Sequence, residues 1–179
     1  MTTHAILERV FDSPLSADDV WGFAHEGAWC FDLHKVDWHG SFLGVDGRTL
    51  ICWFSAADLE STRLALRETG ADSRRFWPGS VHEGPNRATP NVVVERSFAA
   101  PVRLADIQAI EDAAAWCLEA HNVTFVRTFF SLDGMRMLCF YEAPDAESVR
   151  LAQAKAAMPV DAVRAVARVG PAPIPRSPA

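Results

Sequence analysis

Short runs dense in β-branched and aromatic residues alternate along this chain with longer segments in which apolar residues recur every three to four positions. "AILERVF" (5–11) and "VVVERSF" (92–98) are runs of the first kind and predict strands. Pro14 and Pro101 end them, and Ser16 or its neighbourhood then opens a helix. One face of that helix carries Val20, Phe23, Gly27, Cys30, Phe31 and His34. Its later counterpart carries Ile107, Ile110, Ala114, Cys117, Leu118 and His121. "VDWHGSFL" and "VTFVRTFF" follow as strands. Asp-Gly turns at 46–47 and 133–134 then lead into "TLICWFS" and "RMLCFYE", which is a hairpin signal. Second helices are predicted over "AADLESTRLALRET" and "APDAESVRLAQAKA", with Asp58 and Asp145 in the first turn, where the helix dipole favours acids. "RRFWPGSVHE" and "AVRAVARV" supply weaker last strands.

The two halves of this pattern are one pattern. Cys30 and His34 recur as Cys117 and His121, an offset of 87, and that offset aligns 6–65 with 93–152 without a gap. Of the 60 pairs 21 are identical, against roughly four expected from average composition. Glu8/Glu95, Arg9/Arg96, Trp29/Trp116, Phe42/Phe129 and Cys52/Cys139 are among them. The chain is therefore a duplication. The expected fold is α+β: two tandem ferredoxin-like βαββαβ repeats forming a single-chain pseudo-dimeric α+β barrel, with helices outside. The expected boundaries are 1–82 for the first repeat, 83–91 for a Pro/Gly/Asn-rich linker, 92–170 for the second repeat and 171–179 for a Pro-rich tail.

The stretch "CLEAHNVTFVRTFFSLDGMRMLCFYEAPDAESVR" (117–150), with "PVDAV" leading to the last strand, resembles a small ferredoxin-like domain family of unsettled function. Some of its members are labelled nickel-binding. In architecture the chain is similar to dimeric α+β barrel proteins. The resemblance implies the strand, helix and hairpin frame, and it makes nickel the metal to consider. Some members carry histidines on the first strand, where this chain has Glu8-Arg9 and Glu95-Arg96.

Charge narrows the partners. A net charge of −6 and a pI near 5.5 do not suit nucleic acid, which needs a basic surface. No apolar run spans a bilayer, and Glu8 and Arg9 stand where a signal peptide needs its apolar core. A cytoplasmic location is expected, with Cys30, Cys52, Cys117 and Cys139 as reduced thiols.

Three constellations bear chemistry. Cys30/His34 and Cys117/His121 stand at i, i+4 and could hold nickel, zinc or copper, with Cys52 or Cys139 as a further ligand. The simpler account makes the cysteines small hydrophobes and the histidines helix-end residues, and no cofactor is then expected. Alternation puts Arg9 and Arg96 on one face with Phe11 and Phe98, the helix-covered face if those phenylalanines pack under the helices. Glu8 and Glu95 then point into the space between sheets, as general bases, metal ligands or the halves of ion pairs. Trp38, Trp53, Phe125 and Phe140 are aromatic in both copies and either line a cavity or fill the core. Trp21, His25 and Trp29 form a second helical stripe, through which the chain could form a homo-oligomer.

Two functions follow. One is a binding protein for a small ligand or divalent metal. The alternative is a cofactor-independent enzyme of isomerase or monooxygenase type, using a carboxylate in the inter-sheet cavity, by analogy of fold.

Overall fold

The computed structural model describes residues 2–85, 88–155 and 159–171. The first half runs β1 (Thr3–Val10), α1 (Ala17–His34), β2 (Asp37–Gly44), β3 (Thr49–Ala56), α2 (Leu59–Glu68) and β4 (Phe76–Glu83). The second runs β5 (Val92–Ser97), α3 (Leu104–Ala113), α4 (Ala115–Ala120), β6 (Thr124–Ser131), β7 (Arg136–Glu142), α5 (Ala146–Ala154) and β8 (Ala162–Val169). Residues 86 and 87 of the expected linker, and the expected tail beyond Pro171, lie outside the described residues.

Two compact units result, one up to Phe76 together with the segment from Val169, the other Trp77–Arg168. In the first unit β3 pairs antiparallel with β1 and β2, giving the order β1-β3-β2. The helix-covered face of that sheet packs Leu7, Leu43, Leu50, Cys52 and Phe54 against Val20, Cys30, Ala65 and Leu66. In the second unit the order is β4-β6-β7-β5-β8, all antiparallel. Its core holds Val92, Val94, Ile107, Met137, Cys139, Tyr141, Val149 and Ala152. Each such Leu, Val or Phe contributes about 1.5–3 kcal/mol through burial.

β4 joins the two copies of the pattern in sequence. The strand follows the first copy in sequence, yet its ladder runs on β6, from Gly79↔Ser131 to Glu83↔Arg127. An ion pair between Glu83 and Arg127 at 3.1 Å fastens its end there. The boundary of the compact units falls at Phe76/Trp77.

Local chemistry explains the helix ends. Ser16 caps α1 in a reciprocal box: its Oγ accepts from Asp19 N–H at 3.2 Å, and its own N–H donates to Asp19 Oδ2 at 2.7 Å. Asp58 and Asp145 are themselves the N-caps of α2 and α5, accepting from Ser61 and Ser148 N–H at 2.8 and 2.7 Å. Arg103, at the position of Ser16, makes no side-chain cap bond. The helix it opens is expected to be continuous but breaks at Ala114. That residue matches Gly27, where an added Cβ would meet Thr69 Cγ2 at 3.0 Å and Phe31 Cε2 at 3.3 Å. At Ala114 the backbone leaves helical geometry, at φ −100°, ψ 4°. The hairpin glycines are obligatory. Gly47 and Gly134 both sit at φ +71°, with the carbonyl oxygens of Leu15 and Val102 in the space a side chain would take.

Candidate functional site

A cavity of about 380 Å³ lies in the first unit, between its sheet and the helices α1 and α2. Leu7, Arg9, Ser41, Leu50, Cys52 and Phe54 form the strand side, and Val20, Phe23, Ala24, Phe31 and Leu66 the helix side. Exposed Glu26, Trp29 and Gly70 mark its mouth. Trp38 and Ser41 are three residues apart on β2 and still share this face. A bulge makes that so: Trp38 pairs with Phe54 and Gly40 with Trp53, leaving His39 as the extra residue. Gly40 takes φ 124°, which a side chain would disfavour.

The polar groups of the cavity are few. Trp38 Nε1 donates to Ser41 Oγ at 3.1 Å, and Ser41 Oγ donates to Cys52 Sγ at 3.0 Å. Burial pushes the Cys52 thiol up to about 11, against the pull of Ser41 and Arg9. It therefore stays protonated at neutral pH and is no nucleophile. Arg9 supplies the positive charge, its guanidinium lying 4.6 Å from the ring centre of Phe11 and 5.4 Å from that of Phe23.

The same place in the second unit is filled. Arg96, at the position of Arg9, is fully buried. Its Nη1 donates to the Pro159 carbonyl at 2.8 Å and its Nη2 to Gln153 Oε1 at 2.6 Å, while Gln153 Nε2 donates to the Tyr141 hydroxyl at 3.0 Å. Glu111 faces this group from α3. Burial raises its carboxyl above the usual range, and the nearby Arg96 charge pulls the other way. In the first unit Glu111, Tyr141 and Gln153 are replaced by Ala24, Phe54 and Leu66. One interior is wired with polar groups; the other is open and apolar around a single cation.

The four aromatic positions split between the two sheet faces. Trp38 lines the cavity, and its equivalent Phe125 packs against Tyr141 with ring centres 6.0 Å apart. Trp53 stands on the opposite face, stacked on His39 at 4.3 Å and donating to His4 Nδ1 at 3.1 Å. Phe140 packs edge-on against Phe129 at 5.0 Å. Alternation accounts for the split, since Trp53 follows Cys52 and Phe140 follows Cys139.

Glu8 and Glu95 alternate away from the helices. Glu95, 8% exposed, accepts from Arg136 Nη2 at 3.0 Å and Arg164 Nε at 2.7 Å, which ties β5 to β7 and β8. Glu8 stands 4.0 Å from Arg75. Carboxylate oxygens already engaged by guanidinium groups hold strands together more readily than they take a substrate proton.

The Cys-x-x-x-His pairs are not brought into a cluster. All four cysteines are free and buried. His34 Nε2 meets Glu68 Oε2 at 3.2 Å, and the Cys30 thiol is raised by burial and then by Glu68. Cys117 is buried in α4, and His121 forms that helix's C-cap. Among the described residues, no three His, Cys, Asp or Glu side chains group to hold a metal ion. No described helix is long and apolar enough to cross a membrane.

Sequence reasoning missed Ser41 and the isolation of Arg9. The signal was present in the aligned copies: an arginine retained while Glu111, Tyr141 and Gln153 give way to apolar residues.

A family model described as nickel responsive protein SCO4226-like matches residues 93–166, within the second unit. That match bears out the resemblance of 117–150. No curated protein matches the chain significantly. Among solved structures the chain is similar to a mutant chlorite dismutase from Candidatus Nitrospira defluvii, at 13% identity and TM-score 0.53, covering 95% of this chain and 91% of that one. It is also similar to a candidate chlorite dismutase, TA0507, at 13% identity and TM-score 0.52, with 94% of each chain covered. A candidate monooxygenase from Lactobacillus acidophilus aligns at 12% identity and TM-score 0.44 over 93% of each chain. The first two likenesses show the fold, a mixed α+β arrangement of antiparallel strands and helices.

Proposed function

We propose that the chain is a cytoplasmic binding protein that holds a small organic molecule in the cavity of its first unit. One observation carries this reading: an apolar, aromatic-walled space of about 380 Å³ where the second unit is filled by its own side chains. That size and lining, with a few convergent polar groups, are those of small-molecule sites. The buried free thiols suit a reducing compartment.

Nickel, named in the description of the matching family, finds no fitting donor set in the second unit. Cys117 and His121 stand without a third grouped ligand among the described residues, so the reading uses no metal. The finer fold reading is that of tandem ferredoxin-like repeats forming a single-chain counterpart of a dimeric α+β barrel. It rests on the 87-residue register and on likeness to chlorite dismutases over 94–95% of the chain.

The test is to fill the space. The uncharged probe 2-naphthalenemethanol should bind the wild-type chain and raise its Tm by mass action. Ala24→Trp, which extends an indole from α1 into the cavity, should abolish both effects. Equal binding by the filled variant would place the probe elsewhere and defeat the proposal.

A further inference from the structure

We infer that the natural ligand of this cavity carries a carboxylate, docked on Arg9, on a small apolar or aromatic body. The inference rests on the binding reading above and adds the ligand's chemical class. The second unit shows what an arginine at this position takes when enclosed: acceptors for its N–H groups from Gln153 and Pro159, with the Glu111 carboxyl near by. The first unit keeps the arginine and replaces the glutamate with Ala24 and the glutamine with Leu66.

Among the described residues no carboxylate stands within ion-pair distance of Arg9. Asp72 feels the Arg9 charge, but its two oxygens are taken by Arg74 at 2.6–3.0 Å. Glu68, at the mouth, is engaged by His34. The guanidinium lies against the rings of both Phe11 and Phe23. A ligand carboxylate would supply in the first unit what the chain itself supplies in the second. The planar guanidinium matches a carboxylate through paired N–H donors. Glu26 and Glu68 at the mouth weigh against a multiply charged anion such as a phosphate ester. The rest of the lining, with Trp38, Phe31, Phe54 and Leu50, takes an apolar body.

Calorimetric titration of the full chain with 2-naphthoate and with 2-naphthalenemethanol separates charge from shape. The acid should bind roughly tenfold more tightly than the alcohol, the worth of one charge-assisted contact. Arg9→Met should erase that preference and leave alcohol binding in place. Ala24→Glu, which installs the second unit's internal partner, should also weaken the acid selectively. Circular dichroism confirms that each variant is folded. Equal binding of acid and alcohol by the wild type, or a preference that survives Arg9→Met, overturns the carboxylate inference and leaves the cavity reading standing. Binding of neither probe overturns both.

Discussion

Arg9 and Arg96 occupy one register position in two copies of the same pattern, and three side chains around them differ. Around Arg96, Gln153 and the Pro159 carbonyl accept hydrogen bonds, Tyr141 anchors the glutamine, and the Glu111 carboxyl stands near by. Around Arg9, Phe54, Leu66 and Ala24 offer none of these. A buried cation is tolerated only where its partners are complete. The second unit supplies acceptors for both Nη groups of its arginine from its own residues. The first leaves both the space and the partner to something else. Duplication thus separated two demands that conflict in one core: close packing favours stability, and binding needs volume.

The largest expected effect tests that contrast directly. Arg96→Met should destabilise the chain by about 3–4 kcal/mol in urea denaturation, because it strands Gln153 and Glu111 in the interior. Arg9→Met should cost only about 0.5–1 kcal/mol, the worth of its ring contacts. Equal losses would break the comparison. Next in size is Gln153→Leu, which copies the first unit's residue into the second. It removes the acceptor of Arg96 and the partner of Tyr141, and about 1–3 kcal/mol should be lost.

A pH series sharpens the role of Glu111. Its carboxyl is raised in the folded chain by burial, while an unfolded glutamate titrates near about 4.3. The folded state therefore binds that proton more tightly than the unfolded state. The stability this gives is present in acid and is lost as pH rises through the folded pKa. Wild-type stability minus that of Glu111→Gln should accordingly fall as pH rises above the unfolded value of about 4.3. A difference that stays level or rises would show that Arg96 outweighs burial. The smallest effects belong to the histidines. His34→Ala loses a partly exposed contact with Glu68 and should cost roughly 0.5 kcal/mol. His121→Ala should cost a similar few tenths through the helix end. Neither should release metal in elemental analysis, and one equivalent of nickel lost from His121→Ala would revive the metal reading.

Much of the fold was legible because the signals are local. The strand runs, Ser16, the capping aspartates and the Asp-Gly turns each act over a few residues, and the copies confirm one another. The break at Ala114 was not legible, because the apolar spacing runs on through it from Ile107 to His121. Nor was the ladder of β4 on β6, a pairing of strands far apart in sequence. The site was half legible. Alternation tied Arg9 to the face of Phe11, and the aromatic pairing marked Trp38 as lining a cavity or filling the core; the structure sets both against the cavity. Neither signal could show that Trp53 would turn away to meet His4 and His39, or that His39 would be extruded by a bulge. What surrounds Arg9 comes from three elements far apart in sequence, and only the second copy makes the missing partners visible.

The hydrogen-bonded series Trp38, Ser41, Cys52 also gives the molecule an optical address. Four of the six tryptophans (Trp21, Trp29, Trp38 and Trp53) belong to the first unit, and Trp77 and Trp116 to the second. Intrinsic emission is therefore weighted toward the unit with the cavity, whereas far-ultraviolet dichroism sums helices and strands from both. Two unfolding curves that fail to coincide would resolve the order in which the units melt. The Trp38 indole, whose N–H ends on a hydroxyl inside the cavity, makes any occupant visible without a label.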